Sequence, residues 1–111
     1  MDSLIEKVKP LIQYEYERAS GLFGPTHHSD HEGYAVLLEE FEEALQELHI
    51  CRAELDAYWE LVKDKNSESE PKLKYLTKVY VHAMLAACES IQVAAMAYKA
   101  SETITNREAN K

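Results

Sequence analysis

The segment Glu39-Glu40-Phe41-Glu42-Glu43 packs four carboxylates into five positions. On a helix, like charges three or four residues apart repel by roughly 0.2–0.5 kcal/mol per pair. Such a cluster is either a solvated face or a set of hard oxygen donors, the kind that magnesium takes. A second acid, Glu89, stands in different company, with Leu85, Val93 and Met96 on the same side of its helix. An unpaired buried carboxylate costs several kcal/mol in practice (about the effective penalty for one desolvated ion), so a metal ion, a basic partner or protonation must resolve it. Gln92 lies one turn on and shares that side. Lys99, seven residues further, returns to a similar direction.

These residues need helices to position them, and the periodicity supplies three. Leu4, Ile5, Val8, Leu11, Ile12, Tyr16 and Ala19 recur at helical spacing and predict a helix over about 3–20. Pro10 falls inside it, so the helix kinks there or begins near it. The segment GLFGPTHHSDHEG reads as an ordered loop, closed by a capping box with Ser29 as N-cap and Glu32 three residues on. A second helix, about 30–64, carries an apolar face of Tyr34, Leu38, Phe41, Leu45, Leu48, Leu55, Trp59 and Val62. The stretch 65–71 is polar and ends in a proline suited to a helix start. A third helix, about 71–100, is apolar on one face through Leu73, Leu76, Tyr80, Met84, Ile91 and Tyr98, and on the other through Val81, Leu85, Val93 and Met96. A helix apolar nearly all round is covered on more than one side. In so short a chain this implies a second subunit. The expected fold is all-α: a long antiparallel helical hairpin plus an N-terminal helix, forming a helical bundle on oligomerisation. A single domain spans 1–100, and the polar residues 101–111 form a tail expected to fray.

Folding the hairpin brings the acids together. Glu43 and Glu89 are equidistant from Asn66, and so are Glu40 and Gln92; Asn66 lies inside the predicted turn. Glu40, Glu43, Glu89 and Gln92 are therefore expected at one level. Helical bundles build carboxylate metal sites from facing helices in this way.

Composition narrows the field. The chain has 111 residues, enough for one domain, and a formal net charge of −8. That acidity argues against direct grip on a nucleic-acid backbone, though a bound divalent ion can hold phosphates on an acidic protein. The start of the chain has no apolar segment of the signal-peptide kind, and the apolar runs read as too interrupted to span a bilayer. The expected location is cytoplasmic, with Cys51 and Cys88 as reduced core thiols. His27, His28 and His31 lack the spacing of a closed zinc site. Phe23 or Tyr34 could stack on a base.

The pair of acidic segments resembles the signatures of the MazG-like all-α nucleoside triphosphate pyrophosphohydrolases. Glu39-Glu40-Phe41-Glu42-Glu43 fits that group's EExxE motif, and Glu89-Ser90-Ile91-Gln92 stands where its ExxD motif falls. The flanking patterns HEGYAVLLEEFEEA and VAAMAYK look like those of small bacterial or phage-type members. The resemblance covers about 29–100. It implies Mg²⁺, with Mn²⁺ as a substitute, a nucleoside triphosphate substrate cleaved to monophosphate and pyrophosphate, and a homodimer or homotetramer. It implies Glu40, Glu43 and Glu89 as metal ligands, with Gln92 completing the set, and Glu39 and Glu43 as the catalytic carboxylates. Lys99 and His31 are the expected substrate contacts, Lys99 toward phosphate. Two departures stand out. Gln92 replaces the aspartate of ExxD and contributes no charge, and the motifs are further apart than in the family. The alternative is a degenerate, non-catalytic helical protein that binds nucleotide or another protein.

Overall fold

The computed structural model describes every residue from Met1 to Lys111, and it is all-α, without strands. Its elements are α1 (Asp2–Phe23), α2 (Asp30–Lys63) and α3 (Ser69–Ala109). Helix α1 does not begin at Pro10 but runs through it, one backbone donor short at that point. It ends at Gly24, whose N–H donates to the Ser20 carbonyl and whose φ of 89° a side chain would oppose. Helix α2 starts where the capping box places it: the Glu32 N–H donates to Ser29 Oγ at 3.1 Å.

The chain divides into two compact units, Met1–Glu42 with Glu89–Lys111, and Glu43–Cys88. In the first unit the buried residues Ala19, Ala95 and Met96 form a small core, with Ile12, Tyr16, Val36 and Leu37 packed against it. Tyr16 and Tyr98 meet edge to face at 4.7 Å between ring centroids. Small residues at the centre let the helices approach closely, and larger side chains close the rim.

The second unit is a helical hairpin. Asp64 Oδ1 accepts from the Asn66 N–H, and Ser67 Oγ donates to the Leu61 carbonyl, so side chains tie the turn. Pro71 sits within the first turn of α3, where its missing N–H is harmless. Across the hairpin His82 Nδ1 lies 2.9 Å from Glu47 Oε2, and Cys51 Sγ approaches the Val79 carbonyl at 3.8 Å. Both pairs bridge residues nearly equidistant from the turn, as the antiparallel register requires.

Three expectations are revised. The C-terminal residues are helical rather than an irregular tail: α3 continues to Ala109. Thr103 Oγ1 accepts the His27 N–H at 2.9 Å, and Arg107 reaches Asp30 at 3.0 Å, so the loop before α2 holds the end of α3. The apolar stripe of α2 is not core within one chain. Phe41, Leu48, Leu55 and Trp59 are about half exposed, and Cys88 is exposed too. Finally, α3 is long and apolar enough to cross a membrane by length and composition alone, contrary to the reading that its apolar runs are too interrupted. Between Lys78 and Lys99 its one charged residue is Glu89. Most of that stretch is not buried within the chain.

Candidate metal and anion site

The site grows from two turns of helix in the first unit. Glu40 on α2 and Glu89 on α3 are half-buried and bring carboxylate oxygens within 4.8 Å of each other. Gln92, one turn beyond Glu89, joins them: its amide nitrogen donates to Glu40 Oε2 and to Glu89 Oε2, each at 2.9 Å. The neighbours dictate this orientation, since the opposite one would face the amide oxygen toward acceptors. The expected pairing of Glu40 with Gln92 across the helices is therefore present. Glu43 opens the second unit, one helical turn after Glu40 on α2, and is exposed. Glu39 is exposed on the preceding position.

Beside this group lies a cavity of about 440 Å³ in the first unit. Glu39, Glu40 and Gln92 line one part, Val36 and Met96 give apolar wall, and Lys99 and His27 line the rest. Arg18 and Glu15 reach it from α1, joined by a forked ion pair in which Arg18 Nε lies 3.1 Å from Glu15 Oε2. That guanidinium holds the Glu15 carboxyl below its usual range.

Lys99 is 4% exposed, so it is buried. It stands on the face of α3 that the spacing from Gln92 indicates, and it lines the cavity as the sequence suggests. His31 does not: it is exposed and lies outside the cavity lining. The histidine at the cavity is His27, 5% exposed, whose Nε2 is buried without a hydrogen-bond partner. Its Nδ1 faces Glu32 Oε1 at 3.6 Å, while Glu32 Oε2 pairs with His28 Nδ1 at 2.9 Å. The carboxylate of the capping box is thus turned to the two histidines. Burial, and then the positive charge of Lys99, push the His27 imidazole below its usual value. Gly33 makes room for that ring; a Cβ there would stand 3.2 Å from His27 Cδ2. No periodicity marks His27, because part of its surroundings, Thr103 among them, comes from α3, far along the chain. Its only local signal is its place two residues before the N-cap.

No protein-family model, curated protein or solved structure matches this chain.

Proposed function

We propose that this chain is a Mg²⁺-dependent nucleoside triphosphate pyrophosphohydrolase of the MazG-like kind, yielding monophosphate and pyrophosphate. One observation carries the reading: Glu40 and Glu89, from different helices, converge to within 4.8 Å at the edge of a cavity that also holds a buried lysine. The donors are all hard oxygens, which suits Mg²⁺ and Mn²⁺. Glu40 and Glu89 would hold the ion, with Glu43 offered one turn further along α2 and Gln92 by its amide oxygen after a flip. Bound there, a divalent ion supplies charge neutralisation on the triphosphate and an activated water. Glu39, on the cavity wall, would be the residue to orient a water and take its proton, with Glu43 as the second candidate for that role. Lys99 draws a phosphate toward the carboxylates, and Val36 and Met96 exclude water from one side. His31, at the start of α2, remains the candidate contact for the outer part of the nucleotide.

The exposed leucines, Phe41 and Trp59 support a homodimer or homotetramer in which a second copy covers them, building the bundle that one chain leaves incomplete. A cytoplasmic protein is the matching location; the net charge of −8 and the absence of a basic stripe fit neither a nucleic-acid nor a membrane-surface partner.

The second reading is a non-catalytic relative, and Gln92 favours it. Its amide already bridges the two carboxylates, which relieves their repulsion without an ion. Calorimetric titration of Mg²⁺ and Mn²⁺ separates the readings. Saturable binding that Glu89→Gln loses, followed by metal-dependent pyrophosphate release from a nucleotide panel, is the expected result. Glu43→Gln and Glu89→Gln should abolish turnover while leaving the helical content unchanged. Binding without release on any nucleotide would leave the non-catalytic reading.

A further inference from the structure

The first unit contains a buried cation outside any ion pair. Its ion pairs join Lys9 to Glu6, Arg18 to Glu15, His27 and His28 to Glu32, Arg107 to Asp30 and Glu108, and Lys111 to Glu108. Lys99 belongs to none of them, although it is among the most buried residues of the chain. Lys99 lines the cavity, where its ammonium is a donor available to an anion. Of the carboxylates lining the cavity, Glu32 pairs with the two histidines, Glu15 with Arg18 and Glu40 with Gln92, while Glu39 is exposed and in no ion pair with Lys99. An unsatisfied group lines the same cavity, the imidazole of His27 with its unpartnered Nε2. Lys99 and His27 are close enough for the lysine charge to act on the ring. One oxyanion between them would satisfy both, because the ammonium supplies its protons and the imidazole becomes a donor at Nε2 once protonated.

We propose that the cavity of the first unit binds a phosphate-type oxyanion at Lys99, with His27 as its second contact, in the absence of any divalent ion. This site lies in the cavity assigned above to the triphosphate but does not rest on hydrolysis or on the metal. Anion binding reverses the local field at His27. In the empty cavity burial and Lys99 oppose the imidazolium; a bound oxyanion favours it, so binding takes up a proton. The other groups facing the ring are Glu32 and its partner His28 at the start of α2, with Arg18 and Glu15 of α1 across the cavity. Glu32 supports the imidazolium and His28 opposes it.

The test is calorimetry on the whole chain in EDTA, with inorganic phosphate, pyrophosphate and sulfate as probes. Sulfate does not titrate near neutral pH, so its pH dependence reports the protein. Saturable binding of at least one probe is expected. Lys99→Met should weaken it by roughly ten- to a hundredfold, the equivalent of one charge-assisted hydrogen bond. Lys99→Arg should restore most of it. His27→Gln should weaken it less and flatten the fall in sulfate affinity as pH rises. Glu89→Gln should not weaken it, although that variant loses the metal, which separates this proposal from the metal reading. Where Lys99→Met fails to fold, the His27 ring resonances of the parent chain serve instead: sulfate must shift them and raise their titration midpoint. Absence of saturable binding by all three probes, or binding unchanged in Lys99→Met, or unmoved His27 resonances, overturns the proposal.

Discussion

Gln92 donates from one nitrogen to carboxylates on two helices, and an aspartate at that position could not. Hydrogen bonds to charged acceptors are worth about 1.5–3 kcal/mol each when both partners are held. Replacing Gln92 by Asp would exchange two such bonds for a third negative charge. The variant is expected to melt lower in EDTA and to regain more stability than the parent when Mg²⁺ is added. Thermal melts with and without the ion measure both effects, and equal metal responses would show that Gln92 has no part in the site. His27 gives a second prediction. Its folded-state value lies below the ordinary 6.5, so between the two values the unfolded chain binds more protons than the folded one. Stability should therefore rise with pH through that window and be lost as pH falls through it. His27→Gln should flatten that part of a Tm-against-pH curve.

Element ends carry the next set of effects. Ser29 accepts the Glu32 N–H at the start of α2, and replacing such a cap by alanine costs about 1 kcal/mol. Ser29→Ala should lower the urea midpoint accordingly, with an unchanged m-value. Thr103 accepts the His27 N–H, a half-buried bond linking the loop to the last turns of α3. Thr103→Val keeps the shape and removes the acceptor, at a cost of about 1–3 kcal/mol if the N–H is left unsatisfied. The Arg107–Asp30 pair is exposed, so Arg107→Ala should cost no more than about 1 kcal/mol. Amide exchange at His27 would register the difference: faster in Thr103→Val, little altered in Arg107→Ala. The periodicity located all three helices to within a few residues except at the end of α3. There the sequence is polar and reads as a tail, because the partners that hold it, His27 and Asp30, are remote in sequence.

For the whole molecule the question is what covers the apolar surface. Within one chain the fully hydrophobic buried positions are mostly alanines, and no large side chain is completely enclosed. Trp59 is 55% exposed and Leu48 51%. Burial of such side chains contributes about 1.5–3 kcal/mol each, so a second copy covering several of them would gain that much less the cost of association. Light scattering is expected to report a dimer or tetramer. Trp59→Glu together with Leu48→Glu should shift it to smaller species and lower Tm. A monomer in the parent chain would leave the apolar stripe to another partner.

The sequence by itself determined the helices, their antiparallel register and the meeting of Glu40 with Gln92, because helical spacing and equal distances from a turn are local arithmetic. It also indicated Lys99, since seven residues restore a helical direction. The tertiary structure alone decided that the amide nitrogen of Gln92, not its oxygen, faces the carboxylates, that His27 rather than His31 lines the cavity, and that Lys99 is buried outside any ion pair. Those facts depend on groups brought together from distant parts of the chain, and neither periodicity nor spacing encodes what a side chain finds when it arrives.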